Sequence, residues 1–250
     1  MRRRPTARLG PATAVVAVLV LGGCGTSFGL ADPASEQADT VASFWSPAVW
    51  AALAVGAFVW ALITWSIIRY RRRSDALPTQ VAEHIPIELT YTVIPIIIVV
   101  VLFAFGTLAQ RDVSDRASDP DVTVLVEGFQ WSWRFTYEDQ DVIVTGDGEG
   151  TDGPELVLPV DQTTRLELVA LDVNHSFWVP RFLSKRDLIP GVDNEIDVTP
   201  NVLGTHQGRC AEFCGLDHWR MYFKVRIVSE ADFQAWVAEN ADTTIEEGGG

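Results

Sequence analysis

Two long runs of hydrophobic residues dominate the first half of the chain. The first extends over residues 46–68 and the second over residues 90–109, and neither contains a charged residue. About 20 consecutive apolar residues match the hydrocarbon thickness of a bilayer, so each run predicts a transmembrane helix. The alternative, two buried helices of a soluble protein, fits uncharged runs of this length poorly.

The segment between the two runs gives the hairpin an orientation. It begins RYRRRSD, with arginines at positions 69, 71, 72 and 73. Because short loops rich in arginine stay on the cytoplasmic side, the loop 69–89 is predicted to be cytoplasmic and both chain termini extracytoplasmic. We therefore assign residues 46–110 to a transmembrane hairpin and residues 24–45 to an extracytoplasmic segment before it.

The N-terminus has the three-part pattern of a signal peptide. Arginines are followed by an apolar run and then by small residues, which assigns residues 1–23 to the signal. The ending LGGC resembles a bacterial lipoprotein box, in which Cys24 would carry lipid; the alternative is an uncleaved signal with a free thiol. Because lipidation occurs on the outer face, it agrees with the topology. We expect a bacterial cell-membrane protein held by two helices and a lipid.

Beyond residue 111 the hydrophobic pattern changes to a period of two. Segments such as TTRLELVAL and MYFKVRIV alternate, and segments rich in Gly, Pro and Asp separate them. This pattern predicts an all-β sandwich or barrel over residues 111–240. Near its end, SEADFQAWVAENA has helical spacing, with Ser229 as N-cap and Asp232 three residues later. A short C-terminal helix and a disordered tail over residues 241–250 are expected.

One alternating segment is unusually aromatic. In DVTVLVEGFQWSWRFTY, rings occur at every second position, which would place Phe129, Trp131, Trp133 and Phe135 on one face of a single strand. Most of these rings are expected to belong to the core. Four large rings are nevertheless more than one small core easily holds.

Charge is distributed unevenly between the two halves. The chain has a formal net charge of −14, whereas residues 111–250 contain 27 acidic and eleven basic residues, a net charge of −16. An acidic outer half argues against nucleic acid and favours a cationic partner. Carboxylates near the aromatic segment, namely Glu138, Asp139 and Asp141, are candidates for steering such a partner, although clusters of this kind are common for solvation alone.

The segment CAEFCGLDHWRM collects soft metal donors. Cys210, Cys214, His218 and Met221 lie within twelve residues. A disulfide between the cysteines would leave the other two donors unexplained. Zinc could bind both thiolates with two histidines, but methionine is a poor zinc ligand. Thiolate, imidazole and a weak thioether form the donor set of copper electron-transfer sites, so copper is favoured, with zinc and a disulfide as open alternatives.

A further donor is expected from another loop of the barrel. His175 follows the predicted strand TTRLELVAL and precedes Cys210 by 35 residues. This is the position at which cupredoxin barrels supply their first histidine ligand. His206 competes for the role, but it lies in the segment GTHQGRC, which is predicted to be the strand leading into the ligand loop.

In this order, the motifs resemble subunit II of cytochrome c oxidase over residues 40–240. The last loop of that family reads C-x-E-x-C-x-x-x-H-x-x-M, and its positions are filled here by Cys210, Glu212, Cys214, His218 and Met221. The family motifs H-S-x-x-x-P, K-x-D-x-I-P-G and Q-W-x-W correspond to residues 175–180, 185–191 and 130–133. Ser132 replaces a usual aromatic residue, which leaves the details of donor docking open.

The resemblance implies a cupredoxin-like Greek-key domain with a binuclear copper centre, CuA. Cys210 and Cys214 would bridge two coppers, and His175 and His218 would each bind one. Met221 and the backbone carbonyl of Glu212 would be weak ligands.

The resemblance also implies a place in a respiratory complex. Trp131 would accept electrons from cytochrome c, soluble or membrane-bound, and Glu88 would lie at the mouth of a proton-uptake path. The Glu212 side chain would reach a magnesium ion at the boundary with subunit I, and subunit III would complete the core. The rivals are a quinol oxidase subunit, which lacks the cysteines, a copper chaperone of thioredoxin-like fold, and a structural zinc module.

Overall fold

The computed structural model describes residues 27–75, 77, 79–146, 153–241 and 243–247. The predicted signal peptide over residues 1–23 and the predicted lipid attachment at Cys24 lie outside the described residues. In the described part, two long helices precede a two-layered β domain, and a short helix and one further strand follow it.

The two apolar runs form long helices, α1 (Glu36–Arg69) and α2 (Ile85–Ser114). Both are long and apolar enough to cross a membrane, and neither hydrophobic segment is buried within the protein. Helix α1 begins ten residues before the first apolar run, because Ser35 caps it by accepting a hydrogen bond from the Ala38 amide at 3.1 Å. The two helices pack together where Gly106 of α2 leaves room for the ring of Phe44 of α1.

Within the described residues, eleven strands form the two layers of the outer domain. They are β1 (Val122–Phe129), β2 (Ser132–Tyr137), β3 (Val142–Gly146), β4 (Glu155–Pro159), β5 (Thr164–Ala170), β6 (His175–Val179), β7 (Ser184–Leu188), β8 (Asn194–Val198), β9 (Gly204–Cys210), β10 (Tyr222–Val228) and β11 (Thr243–Glu247). One sheet has the order β11-β3-β2-β1-β5-β8 and the other β4-β10-β9-β6-β7. This confirms the predicted all-β sandwich.

The aromatic segment is not one strand, so that prediction was wrong. The chain turns at Gln130 and Trp131, and β2 returns antiparallel to β1 with Phe129 opposite Ser132. Because paired residues share a face, Phe129 lies on the outer face, where Arg134 covers its ring at 5.7 Å. Trp133 and Phe135 are fully buried in the core. Only two of the four rings therefore fill the interior.

The core between the two sheets is built around stacked aromatic rings. Trp133 contacts Phe223 edge-on at 5.0 Å, and Phe223 stacks on Phe177 at 4.8 Å. These rings lie directly beneath the end of the barrel at which β6 begins and β9 ends. Close packing of these rings keeps that end of the barrel rigid.

The C-terminal region contains one confirmed and one wrong prediction. Helix α3 (Glu230–Asn240) begins at Ser229, whose hydroxyl accepts from the Asp232 amide at 3.2 Å, as predicted. The tail was expected to be disordered, but residues Thr243–Glu247 form β11, parallel to the edge strand β3. The physical reason is that a run with β-branched residues meets an unpaired strand edge.

Both helices are attached to the barrel along β8 and the residues after it. At α1, the Glu36 amide donates to the Thr199 carbonyl at 3.0 Å. At α2, the linker after Ser114 is held by Asp197, which accepts from the Ala117 amide at 2.7 Å. The carboxylate of Asp197 also forms a bidentate pair with Arg165, with both hydrogen bonds at 2.8 Å.

Candidate metal centre

The predicted ligands come from two neighbouring strands and one loop. His175 begins β6, and Cys210 ends the adjacent antiparallel strand β9. The loop that follows is closed on itself, because the Cys210 amide donates to the Met221 carbonyl at 2.9 Å. His218 lies in that loop, in a short 3₁₀ turn. Strand pairing therefore brings His175 next to Cys210, which lies 35 positions later in the sequence.

All six predicted copper ligands lie close together. The two sulfurs of Cys210 and Cys214 are 3.9 Å apart, far longer than the roughly 2.05 Å of a disulfide bond. His175 Nδ1 lies 3.8 Å from the Cys210 sulfur, and the carbonyl oxygen of Glu212 lies 3.2 Å from it.

The second sulfur has its own neighbours. His218 Nδ1 lies 3.5 Å and the Met221 sulfur 3.7 Å from Cys214 Sγ. The donors thus form two groups that share a pair of thiols, each group with one imidazole and one weak donor. Six donors exceed the four of a structural zinc site, so the arrangement fits two coppers better than one zinc.

Burial controls the protonation of these groups. It raises the pKa of the Cys214 thiol to about 12, with a further contribution from the neighbouring Cys210. It lowers the pKa of His175, although Asp172 opposes that shift. At neutral pH the Cys214 thiol is therefore protonated and the His175 imidazole is not. A cation would have to displace the thiol protons on binding.

His175 is oriented by a carboxylate that the sequence predictions missed. Its Nε2 lies 2.9 Å from Asp172 Oδ1, which leaves Nδ1 free to face the sulfurs. Burial alone would raise the pKa of Asp172, but hydrogen bonds from His175, Gln130 and Val173 lower it overall. A carboxylate behind a ligating histidine fixes its tautomer and ring orientation. The spacing D-x-x-H was the only sequence signal for this pair.

Trp131 lies at the surface above the ligand loop. Its indole Nε1 donates to the Cys214 carbonyl at 3.1 Å, and the side-chain amide of Gln130 donates to the same oxygen at 2.8 Å. Trp133, by contrast, is fully buried beside the ring of His175, at 6.3 Å between ring centroids. The two tryptophans of the motif therefore occupy different layers, one exposed in part and one in the core.

Three other predicted residues lie away from the cluster. Glu88 is in the first turn of α2, where it accepts from the His84 amide at 2.7 Å and so caps the helix. The side chain of Glu212 is exposed. His206, the weaker ligand candidate, contacts Arg181 at 3.2 Å and is not in the group.

Exposed apolar side chains surround the cluster. On the ligand loop, Phe213, Leu216 and Trp219 are 76%, 81% and 66% exposed. Leu171 and Val173, in the loop before His175, are also exposed. We call these five residues the apolar rim. Contiguous exposed apolar residues are typical of a surface that another protein covers.

Comparisons with known proteins point to one family. The family model for the periplasmic domain of cytochrome c oxidase subunit II matches residues 150–228, and that for its transmembrane domain matches residues 24–108. The probable cytochrome c oxidase subunit 2 of Streptomyces coelicolor is 38% identical over 244 residues, which cover 82% of this chain and 76% of the relative. That of Streptomyces avermitilis is 40% identical with the same coverage.

Among solved structures, the periplasmic domain of cytochrome oxidase subunit II from Bradyrhizobium japonicum is 31% identical and has a TM-score of 0.46. It covers 50% of this chain and 96% of its own length. The sequence relationship to the Streptomyces proteins extends over both the hairpin and the β domain. The chain therefore belongs to the cytochrome c oxidase subunit II family, the subunit through which electrons enter a haem–copper terminal oxidase.

Proposed function

We propose that His175, Cys210, Cys214, His218 and Met221, with the carbonyl of Glu212, hold the binuclear copper centre CuA of this oxidase. The observation that carries the proposal is the pair of thiols 3.9 Å apart, each with its own imidazole nitrogen within 3.8 Å. When bound by these residues, two coppers would accept and release single electrons.

The protein's own contribution is a rigid and dry site. Both sulfurs, His175 and Met221 are buried, and the ring of Trp133 supports the site from below. Because the packing of the barrel holds these side chains, they need to move little when the charge of the site changes. Low rearrangement of this kind favours fast electron transfer, since preorganised surroundings cost little to adjust.

Electrons are proposed to reach the site through Trp131. Its indole is the only ring of the Q-W-x-W motif that is both partly exposed and hydrogen-bonded to a ligand residue. The donor would be cytochrome c, either soluble or membrane-bound. The net charge of −16 over residues 111–250 favours a basic donor, because opposite charges steer association.

The apolar rim supports contact with partner subunits. Subunit II pairs with subunit I in this family, and the rim supplies an uncovered surface beside the metal loop. We propose that Phe213 and the exposed Glu212 face subunit I, where the Glu212 carboxylate would help to bind magnesium. Subunit III would complete the complex without a role for the residues of the metal loop.

The membrane arrangement is proposed from the hairpin and the segment before it. Loop 69–89, with its four arginines, would be cytoplasmic and the copper domain extracytoplasmic. The ring of Phe28 contacts that of Trp50, within the apolar run of α1, at 5.1 Å. Phe28 therefore lies against the membrane helix. The signal-peptide pattern and its ending LGGC support removal of residues 1–23 and attachment of a lipid at Cys24.

Glu88 is proposed to lie at the mouth of a proton-uptake path in subunit I. Its position at the cytoplasmic start of α2 supports the role, because ionisable groups at a membrane edge are functional candidates. Its capping hydrogen bond to the His84 amide accounts for the carboxylate on structural grounds alone. A Glu88→Gln variant separates the proton-uptake role from the capping role, since glutamine can still accept the hydrogen bond from the His84 amide but cannot carry a proton.

The metal assignment is tested on the purified full chain after copper loading. We expect two coppers per chain, a purple colour, and an electron paramagnetic resonance spectrum in which one electron couples equally to two copper nuclei. Cys210→Ser and Cys214→Ser should each abolish the colour, because the sulfurs are shared. Binding of a single zinc would exclude the proposal. So would a disulfide between Cys210 and Cys214 that persists under reducing conditions during copper loading.

A further inference from the structure

The turn that contains Trp131 is held by hydrogen bonds on two sides. On one side, the Gln130 backbone amide donates to Asp172 Oδ2 at 2.8 Å, while Oδ1 of the same carboxylate contacts His175 Nε2 at 2.9 Å. On the other side, the Gln130 side-chain amide and the Trp131 indole both donate to the Cys214 carbonyl. One turn is thus tied to a residue from each half of the metal centre.

Gly215 provides independent support for this close approach. A Cβ atom at this position would lie 3.0 Å from the Gln130 side-chain nitrogen and 3.2 Å from the Trp131 indole nitrogen. The residue also has a φ of +117°, a conformation that favours glycine. The ligand loop is therefore shaped to bring its backbone against the turn.

We propose that Gln130 and Asp172 are positioning residues for electron transfer, which together clasp Trp131 against the metal ligands. Asp172 fixes the turn relative to His175, and Gln130 fixes it relative to Cys214. We call these two residues the clasp. In the step they would support, the donor haem would lose one electron and the bound metal pair would gain it, with no atom or proton transferred. This inference rests on the proposed role of Trp131.

The two oxygens of Asp172 allow the two functions of its carboxylate to be separated. In Asp172→Asn, the remaining oxygen can still face His175 and the Val173 amide, which donates to Oδ1 at 2.6 Å. The new NH₂ group would then oppose the Gln130 amide, donor against donor. The histidine stays oriented while the turn is released. Gln130→Leu removes the bond to Cys214 with little change of volume.

The first measurement uses the metal-free full chain in detergent, labelled with ¹⁵N in its tryptophan indoles. In both clasp variants we expect faster hydrogen exchange at the Trp131 indole, with exchange at the buried Trp133 indole unchanged. Trp131→Phe assigns the signal. Gly215→Ala, which presses on the turn from the loop, should have the same effect by an independent route. Unchanged exchange at Trp131 in all three variants would overturn the inference.

The second measurement uses the assembled oxidase with reduced, basic cytochrome c as donor. The clasp variants should lower kcat by about 10- to 100-fold, the usual cost of losing a supporting hydrogen bond at a metal site. Their KM and near-infrared spectrum should remain close to those of the wild type. Glu239→Gln, an exposed residue of α3, is the control for loss of one negative charge.

The outcomes separate the two levels of the proposal. If Trp131→Phe slows electron delivery and the clasp variants do not, the clasp is wrong and the role of Trp131 stands. If Trp131→Phe leaves kcat unchanged, the proposed role of Trp131 is wrong, and the clasp inference is overturned with it. A rise in KM without a fall in kcat would assign the clasp residues to donor docking instead.

Discussion

His175 and His218 face the two cysteine sulfurs at similar distances, yet the protein holds them in different ways. His175 is completely buried, begins a strand in the middle of a sheet, and has a carboxylate behind its second ring nitrogen. His218 is half-buried and lies in a short 3₁₀ turn, and no described residue bonds to its Nε2. Its ring contacts Phe213, which is itself exposed.

This difference indicates which half of the centre the chain completes by itself. The His175 half is finished by contacts within the barrel. The His218 half is open to the apolar rim, where Phe213 and Trp219 lack a covering surface among the described residues. Contacts within the described residues therefore complete the first half, whereas His218 and the exposed rings beside it lack such a covering.

Removal of either imidazole should have the largest effect, which is loss of the copper spectrum. The two variants also test whether the His175 and His218 halves differ. His175→Gly and His218→Gly should both lose the copper spectrum in the full chain. Added imidazole should restore it in His218→Gly, because that side is open to solvent, but not in His175→Gly. The near-infrared band measures both results. Equal rescue of the two variants would show that burial does not distinguish the sites.

Adding a methyl group against the His175 half should lower the free energy of unfolding. A Cβ at Gly128 would lie 3.1 Å from Leu188 and 3.2 Å from the Cβ of His175. Gly128→Ala is therefore expected to destabilise the domain by about 1–3 kcal/mol, the usual cost of overpacking a core. Thermal unfolding of the full chain measures it. The matched control is Gly56→Ala in α1, where no atom lies within 4 Å and no loss is expected.

The open half should tolerate the loss of an exposed ring. Phe213→Ala is expected to change the free energy of unfolding by no more than about 0.5 kcal/mol, as for other surface positions. It should nevertheless reduce copurification with subunit I, because the rim loses one of its two exposed aromatic rings. Phe177→Ala, in the core, provides the contrast and should cost about 3–5 kcal/mol. A strongly destabilised Phe213→Ala chain would show that the rim is structural.

The last prediction concerns the pH dependence that a buried histidine outside the metal centre gives to stability. Burial lowers the pKa of His206, with Arg181 adding to the shift. The folded protein therefore binds this proton less readily than the unfolded chain, and stability is lost as the pH falls below about 6.5. His206→Gln should weaken that pH dependence, by at most about 1.4 kcal/mol per pH unit. Melting temperatures at pH 7.5 and 5.5 test it; parallel curves would contradict it.

The sequence could predict that the loop donors cluster because these donors are local. Cys210, Cys214, His218 and Met221 lie in one short segment, so their spacing alone indicates a shared site. The hairpin was equally visible, because lipid requires long uncharged runs. His175 was found through its place in the order of motifs, since strand pairing brings it to the loop.

The errors and omissions arose where tertiary contacts decide the structure. The turn at Gln130 and Trp131 contains no Gly, Pro or Asn, so the alternating pattern continues through it unbroken. Asp172 also accepts a hydrogen bond from the Gln130 amide, 42 residues earlier, which no local pattern shows. The strand at Thr243 forms only because the edge of β3 is free to pair.

Both membrane helices meet the barrel along β8 and the residues that follow it, through the Glu36 amide at one helix and the Arg165–Asp197 pair at the linker of the other. A domain fastened at two points cannot swing on its anchor. Any tilt that the hairpin takes up to match a thinner or thicker bilayer therefore turns the β domain with it. The lipid around this subunit would thereby help to set the orientation of that domain above the membrane.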